Sequence, residues 1–343
     1  MRKVIFLASI AAFIALMLGT GGELHAQRVF EVRIASPLPQ QSPWGRTLDR
    51  IASEWARVTN GQVRMRVLHG GTEGGEGRMH QSLASNVNQA AVFTSLGLST
   101  IDPSIITLSA PFLIRNEAEL AVVMREVQGD LETRLNSGDY FIVAWSQAGF
   151  VNVFSRDPVF TPDDLKRMRI ASGEETADMN TVFRHMGFQV QESDWGEIGT
   201  RLVQGQIAAI YNNPAAVAAF QLHTQTPIRN MLSTNIAPVL GGIVINQVTW
   251  RRIGSMNPRF QQELVRVTRQ IAEELDRSMQ GTVNNAIASM GREGLTVNRP
   301  SPDQEQLWFD EMARALPSLI GSSLDMNLYN RINDILTRYR GSR

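Results

Sequence analysis

The sequence contains no cysteine. This absence excludes disulfide bridges, thiolate metal sites, a cysteine nucleophile and a lipidated N-terminal cysteine. An excess of positive charge is also missing, since 33 Lys and Arg residues balance 33 Asp and Glu residues. Because such a chain offers no overall positive field to the phosphates of nucleic acid, we expect no nucleic-acid partner.

Beyond the N-terminus, long apolar runs are missing as well. No later stretch approaches the roughly 18 to 20 apolar residues that a membrane helix needs. At the N-terminus, Arg2 and Lys3 precede an apolar stretch over residues 4–18, and Ala26 ends the segment. This pattern predicts a signal peptide over residues 1–26 and an exported, non-lipidated protein. An uncleaved anchor is the alternative, because Leu24 is a mediocre residue at the third position before the cut.

The composition is that of a folded protein, with 43% hydrophobic and 19% charged residues. A chain of 343 residues is long enough for about two domains. The alternating segment Val29–Ile34 predicts a strand, and Val63–Leu68 predicts a second one. Between them, apolar residues at helical spacing predict a helix, namely Leu48, Ile51, Trp55 and Val58. A strand, helix, strand unit indicates a largely parallel sheet.

The same alternation continues along the chain. Further strands are expected at 90–94, 141–145, 168–172, 188–191 and 207–211, with helices from 117 onward and over 176–186 and 195–204. The sequence therefore indicates two α/β units rather than one.

A long periodic segment does not fit two independent units. Asn257 and Pro258 suit the start of a helix. The apolar positions that follow at helical spacing are Phe260, Leu264, Val267, Ile271, Leu275, Met279, Val283, Ile287 and Met290. A coiled coil is one interpretation, and a single helix lying across both units explains the pattern better.

The sequence shows no convincing catalytic constellation. The glycine-rich stretch from Leu68 to Met79 fits neither a phosphate loop nor a dinucleotide fingerprint, and the chain has no G-x-S-x-G elbow. Its histidines are scattered without metal-binding spacing. We expect no enzyme activity, no cofactor and no metal, with a secreted hydrolase kept as an alternative.

Several stretches, taken in order, resemble the periplasmic solute receptors of TRAP transporters. They are VRIASPLPQQSPWG, VTNGQVRMRVLHGG, LSAPFLIRNEAE, WSQAGFVNVFS, TPDDLKRMRI and LVQGQIAAIYNNP, followed by the long helix after Trp250. The resemblance covers nearly the whole chain after residue 26. It implies an α/β, two-lobed periplasmic binding protein fold of the type II kind, with the long helix spanning both lobes.

The resemblance also implies lobe boundaries, a partner and a location. Lobe I would consist of residues 27–149 and 238–277, and lobe II of residues 150–237 and 278–343. The protein would be a periplasmic monomer that captures a small organic molecule and delivers it to the TRAP membrane permease. A receptor for an ABC importer or a sensor kinase is the alternative among binding proteins.

Two positions depart from the pattern of the family. Its members place an arginine that clamps the ligand carboxylate at the position of Ala171, and a second cation is frequent at Val151. Arg169 lies two residues before Ala171 on the same face of the strand, so it could substitute for the clamp or form a solvated edge. Because an unpaired buried carboxylate is costly, we expect apolar and neutral hydrogen-bond contacts with the ligand rather than an arginine-clamped dicarboxylate.

The remaining candidate ligand contacts follow the family's pattern. They are Glu76, Trp145, Asn152, Trp195, Tyr211 and Asn212. Asn212 matches an asparagine that hydrogen-bonds the ligand in the family, and Trp195 matches an aromatic residue. Trp145 and Trp195 could equally be core residues.

Overall fold

The computed structural model describes residues 29–172, 177–193 and 196–342. The predicted signal peptide, residues 1–26, lies outside these ranges. Within them, no helix combines the length and the apolar character needed to cross a membrane.

The first part of the described chain alternates strands and helices, as predicted. Its elements are β1 (Phe30–Ala35), α1 (Pro43–Val58), β2 (Val63–Leu68), α2 (Glu76–Ala84), β3 (Ala90–Thr94), α3 (Ser95–Ser99), a 3-10 helix (Pro103–Ser109) and α4 (Glu117–Asn136). The side chain of Ser42 caps α1 by accepting a hydrogen bond from the Gly45 backbone N at 3.0 Å. Pro43 follows at the first helical position, where its missing N–H costs nothing.

The middle part repeats the alternation with shorter elements. They are β4 (Tyr140–Ser155), α5 (Pro162–Lys166), β5 (Arg169–Ser172), α6 (Ala177–His185), β6 (Gln189–Glu192), α7 (Ile198–Val203), β7 (Ala209–Asn212), α8 (Pro214–Ala219), α9 (Leu222–Gln225), β8 (Asn230–Leu232) and β9 (Ala237–Asn246). The last part consists of α10 (Gln247–Met256), α11 (Pro258–Arg292), β10 (Thr296–Asn298), α12 (Pro302–Leu319) and α13 (Met326–Gly341).

The strands form one sheet whose two halves are joined by β4 and β9. Its order is β2-β1-β3-β9-β4-β7-β5-β6, and β8 and β10 extend it beside β4. β1, β2 and β3 are parallel, and so are β5, β6 and β7, whereas β9 and β4 run antiparallel to their neighbours. The prediction of a short strand over 141–145 is therefore wrong in length. That strand is the start of β4, which has 16 residues and passes from one half of the sheet to the other.

The predicted long helix is confirmed as α11, which has 35 residues and is about 52 Å long. Its first half packs on α1, where the indole Nε1 of Trp55 donates to the Thr268 hydroxyl at 2.8 Å. Its far end contributes Met290 to a core cluster around Ala171 in the other half of the molecule. The helix thus contacts both halves of the sheet.

The terminal helix α13 packs against α4. Arg340 holds the buried carboxylate of Glu119 with two hydrogen bonds of 2.9 and 2.7 Å. The predicted lobe boundaries stay a prediction, and they place α13 and α4 in different lobes.

Candidate functional site

The loops after the parallel strands form the edge where an α/β sheet binds its ligand. In the first half, the loops after β1 and β2 contact each other, because the Gly71 N donates to the Ser36 O at 3.0 Å and the Gly70 N to the Leu38 O at 2.9 Å. In the second half, the corresponding edge includes Asn212 at the end of β7. The candidate site lies at these edges and at the crossing of β4, by which we mean residues 147–150, where the strand passes from one half of the sheet to the other.

Glu76 is the first residue of α2 and is buried. Its carboxylate accepts hydrogen bonds from the backbone N of Thr94 at 2.9 Å and from the Thr94 hydroxyl at 3.0 Å. Gly97 leaves room for this carboxylate, since a Cβ there would lie 2.3 Å from the Glu76 Oε2. Glu76 therefore joins the starts of α2 and α3, and its contact with a ligand stays a prediction.

Trp145 lies in β4 and is only 8% exposed. Its ring belongs to the largest hydrophobic core, but its indole Nε1 is buried without a hydrogen-bond partner. Since nearly all buried polar groups in proteins are hydrogen-bonded, a water molecule or a solute oxygen is expected to accept from this donor. The indole Nε1 of Trp44, in the first turn of α1, is also buried without a hydrogen-bond partner in the protein.

β4 leaves its regular pairing just after Trp145. Its register with β9 shifts between Gln147 and Phe150, and Gly149 has a left-handed φ of 81°. Before this irregularity, Asp276 of α11 accepts hydrogen bonds from the Ser146 hydroxyl and the Gln147 backbone N, both at 2.8 Å. The long helix is thus anchored to the strand at the point where the strand passes between the two halves.

The environment of Asp276 disfavours its charged form. Burial raises the pKa of the Asp276 carboxyl from its ordinary 3.8 to about 6, against the opposing effect of the hydrogen bonds from Gln147 and Ser146. The nearby carboxylate of Glu273 adds to this rise. The group therefore titrates at mildly acidic pH.

Tyr211 and Asn212 end β7 and are both half-buried. The Tyr211 ring lies 5.0 Å from the ring of Phe183. The side-chain Oδ1 of Asn212 accepts from the backbone N of Asn213 at 2.7 Å. The Asn212 Nδ2 is a donor and the Oδ1 keeps a second lone pair, so the amide can bind a further partner through either atom.

Val151 and Asn152 continue β4 beyond the crossing. Val151 is half-buried and packs against the largest core. Asn152 is buried, and its Nδ2 donates to the carbonyls of Leu232 and Thr234 at 3.2 and 3.0 Å. The amide of Asn152 thus fixes the loop between β8 and β9, and a ligand contact by either residue stays a prediction.

Ala171, at the position of the family's clamp, is fully buried. It belongs to a core that we call the Ala171 cluster, which consists of Phe154, Ala171, Ile198, Leu202, Ile207, Ile210, Val217, Ile228, Met231, Met290 and Leu295. Met168 and Ile170, on the other face of the strand, pack in the largest core. The alternation inferred from the sequence is correct, and it directs the Ala171 methyl group into apolar surroundings.

The cations next to Ala171 have partners within the protein. Lys166 pairs with the buried carboxylate of Glu311 on α12 at 2.8 Å. Arg169 donates to the Gly205 O at 3.1 Å, and Arg167 is mostly exposed beside Asp164 at 4.0 Å. Because Arg169 begins β5, it lies at the strand's amino end, whereas the ligand-facing loops follow the carboxyl ends.

Trp195 lies outside the described residues. Over the described ranges, no group of three or more His, Asp or Glu side chains could hold a metal ion.

Two site residues were not found from the sequence. Asn213 could have been recognised as a helix cap, because it precedes Pro214, but its contact with β4 joins residues 63 and 65 positions apart. Asp276 stands among other charged residues of α11 without a distinguishing pattern. Both roles depend on tertiary contacts that no local motif indicates.

Comparison with known proteins identifies the family. The model of "Bacterial extracellular solute-binding protein, family 7" matches residues 34–320. A "Solute-binding protein" of Chromohalobacter salexigens is 24% identical over 177 residues, which are 51% of this chain and 52% of that protein. The "2,3-diketo-L-gulonate-binding periplasmic protein YiaO" of Escherichia coli K12 is 23% identical over 209 residues, 60% of this chain and 62% of that protein. The matched segments thus span only about half to three fifths of these curated relatives.

Solved structures share the fold over about nine tenths of this chain. A TRAP periplasmic solute binding protein of Ralstonia eutropha H16, with bound (S)-2-acetolactate, has a TM-score of 0.82 at 18% identity and covers 90% of this chain and 99% of its own. One of Chromohalobacter salexigens, with bound D-glucuronate, has a TM-score of 0.81 at 19% identity and covers 89% and 99%. These likenesses confirm the two-lobed α/β fold predicted from the sequence.

Proposed function

The chain belongs to family 7 of the bacterial extracellular solute-binding proteins, and we propose that it captures a small organic solute between its lobes for a TRAP-type permease. It acts in the periplasm after removal of residues 1–26, as a monomer and without chemical turnover. An ABC importer or a sensor kinase as the receiving partner is the alternative, and the permease genes next to this gene decide between them. A secreted hydrolase would instead show turnover in an esterase, phosphatase and glycosidase screen.

The solute is a small organic acid rich in hydroxyl or carbonyl oxygens. Relatives of known structure were solved with (S)-2-acetolactate, D-glucuronate and orotic acid, and the Escherichia coli relative is named for 2,3-diketo-L-gulonate. Each of these molecules carries several acceptor oxygens besides one carboxylate. The present chain has uncharged side chains at Val151 and Ala171, so neutral donors contact the hydroxyl and carbonyl oxygens. The single carboxylate keeps its contact with water, which avoids the cost of burying it without a cation.

The observation that carries this proposal is the unpartnered indole N–H of Trp145. A buried donor without an acceptor costs about 1 to 3 kcal/mol, and a solute oxygen placed there would recover that cost on binding. The Nδ2 group of Asn212 is a second neutral donor. The ligand contacts proposed with these two are Glu76, Val151, Asn152, Trp195 and Tyr211, whereas the methyl group of Ala171 lies in the Ala171 cluster.

Trp145→Phe tests the proposal, because it removes the N–H and keeps an aromatic ring. Without solute, we expect the free energy of unfolding to stay within about 1 kcal/mol of wild type, since the lost donor has no partner. The affinity for the best solute among D-glucuronate, (S)-2-acetolactate and orotate should fall about tenfold, measured by titration calorimetry.

Trp55→Phe is the matched control, because the indole N–H of Trp55 is bonded to Thr268 and Trp55 is not among the candidate ligand contacts. This variant should lose about 1 kcal/mol of stability and keep the wild-type affinity. If Trp145→Phe retains full affinity, or if none of the three solutes binds, the role assigned to the indole is wrong.

A further inference from the structure

One face of α11 follows β4 up to its crossing between the two halves of the sheet. Arg269 donates from its Nε to the Val143 O at 3.1 Å, ahead of the crossing. Two turns further along the helix is Asp276, and two turns beyond it Val283 lies against the crossing. A Cβ added to Gly149 would lie 3.4 Å from the Val283 Cγ2. The helix is therefore held against the strand on both sides of Asp276.

Asp276 is the carboxylic acid among these three contacts. It accepts hydrogen bonds from the Ser146 hydroxyl and from the Gln147 backbone N, both at 2.8 Å. Gln147 pairs with Leu240 of β9, and beyond it the register of the two strands shifts. The carboxyl group thus fastens the helix to the strand at the point where the regular ladder ends.

The charged groups around Asp276 do not include a paired cation. On α11 they are Glu273, Glu274 and Arg277, and Glu274 is paired with Arg50 of α1. The other elements packed on α11 are β4, α8 and α10. β4 and α8 contain no charged residue, the titratable Tyr140 is the first residue of β4, and α10 packs near the start of α11. The carboxyl group therefore depends on its two hydrogen bonds with β4.

The proton on Asp276 is bound more tightly when the helix is packed on the strand. Burial raises the pKa of the Asp276 carboxyl to about 6, from 3.8 for an aspartic acid in water. An arrangement in which water reaches the carboxyl therefore releases the proton more readily. The packed arrangement is favoured at low pH, and this advantage is lost as the pH rises through 6.

We propose that Asp276 is a pH-sensitive switch of the contact between α11 and the crossing of β4. With the carboxyl protonated, the helix holds the strand. Ionisation favours an arrangement in which the two separate at Asp276 and water reaches the carboxylate, because a ligand, here the proton, shifts an equilibrium by its difference in affinity. Since β4 passes between the two halves of the sheet at this point, the switch also changes the arrangement of the halves. It goes beyond the proposed function, because it operates in the protein without solute.

Hydrogen exchange of the backbone amides of residues 146–150 tests the switch, with each rate divided by the intrinsic rate at the same pH. From pH 5 to pH 7.5, protection in wild type should fall about tenfold, the ratio that carboxyl pKa values of about 6 in the packed and 3.8 in the open arrangement give. Asp276→Asn keeps an acceptor oxygen that does not titrate, so its protection should not change with pH. Ser146→Ala removes a donor that favours the ionised form, so its protection should fall further than in wild type.

Glu263→Gln is the matched control, because that side chain lies on the same helix, is 44% exposed and pairs with Arg266. This variant should keep the tenfold change of wild type. The chain contains no cysteine, so cysteines introduced at the exposed residues Gln81 and Gln204 take spin labels without background. Pulsed electron paramagnetic resonance should give different distance distributions at pH 5 and pH 7.5 in wild type, and the same distribution in Asp276→Asn.

Three results would overturn the proposal. They are equal protection of the wild type at both pH values, a wild-type pH change that persists in Asp276→Asn, and a wild-type distance distribution that does not change with pH. Because no solute is present in these measurements, such a failure is distinct from a failure of the proposed function.

Discussion

Ala171→Arg lowers the free energy of unfolding by at least about 3 kcal/mol, because it places a charge without a partner in an apolar core. The methyl group of Ala171 is fully buried among the side chains of the Ala171 cluster. Described acidic side chains are absent from that cluster, so the guanidinium would have no carboxylate to pair with. Urea denaturation followed by circular dichroism measures the loss.

Two further variants separate charge from size and position. Ala171→Met adds volume without charge and should cost about 1 to 3 kcal/mol through overpacking. Gln204→Arg adds the same charge at an exposed residue of the same half, and its effect should stay within about 0.5 kcal/mol. A stable Ala171→Arg protein that gains tight binding of succinate would show that residue 171 faces the solute, contrary to our account.

Asp276→Asn removes a pH dependence of stability. The raised pKa means that folded Asp276 holds its proton up to about pH 6, whereas the unfolded chain releases it near 3.8. The protonated group therefore favours folding below about pH 4, and this contribution is lost as the pH rises through 6. A pKa rise from 3.8 to about 6 corresponds to a loss of about 3 kcal/mol across that interval.

We expect Asp276→Asn to be free of this loss and to exceed wild type in stability at pH 7.5. The charged residues near Asp276 on α11 are Glu273, Glu274 and Arg277, and Glu274 is paired with Arg50 of α1. The neighbouring elements β4 and α8 contain no charged residue. Glu273→Gln is the control, and it should lower the pH of the transition slightly. If Asp276→Asn is less stable than wild type at pH 7.5, the ionised carboxylate stabilises the contact between α11 and β4. Our inference that ionisation of Asp276 lowers the free energy of unfolding is then wrong.

The sequence predicted the fold well where the pattern is local. Period-two alternation located β1 and β2, and the stripe from Phe260 to Met290 located α11, because burial of one face imposes these periods. The length of β4 was missed, since Ser146, Gln147 and Gly149 interrupt the apolar run over 141–145. The glycine at 149 is a bend in a continuing strand rather than its end.

The candidate site was less predictable. The resemblance drew attention to Ala171, but only the packing shows that its methyl group lies in a core. The sequence also did not indicate the partners of the cations nearby, since Lys166 pairs with the buried Glu311 and Arg169 donates to the Gly205 carbonyl. Pairing partners more than 30 positions apart cannot be read from a single sequence.

The most direct test of the central account is a thermal-shift comparison of organic acids on the mature protein. We predict that an oxygen-rich monocarboxylate such as D-glucuronate stabilises the protein, by about 2.7 kcal/mol at 100 times its dissociation constant. Succinate and malate, which suit an arginine clamp, should leave the melting temperature unchanged. Strong stabilisation by succinate or malate, with none by the monocarboxylates, would contradict capture by neutral donors.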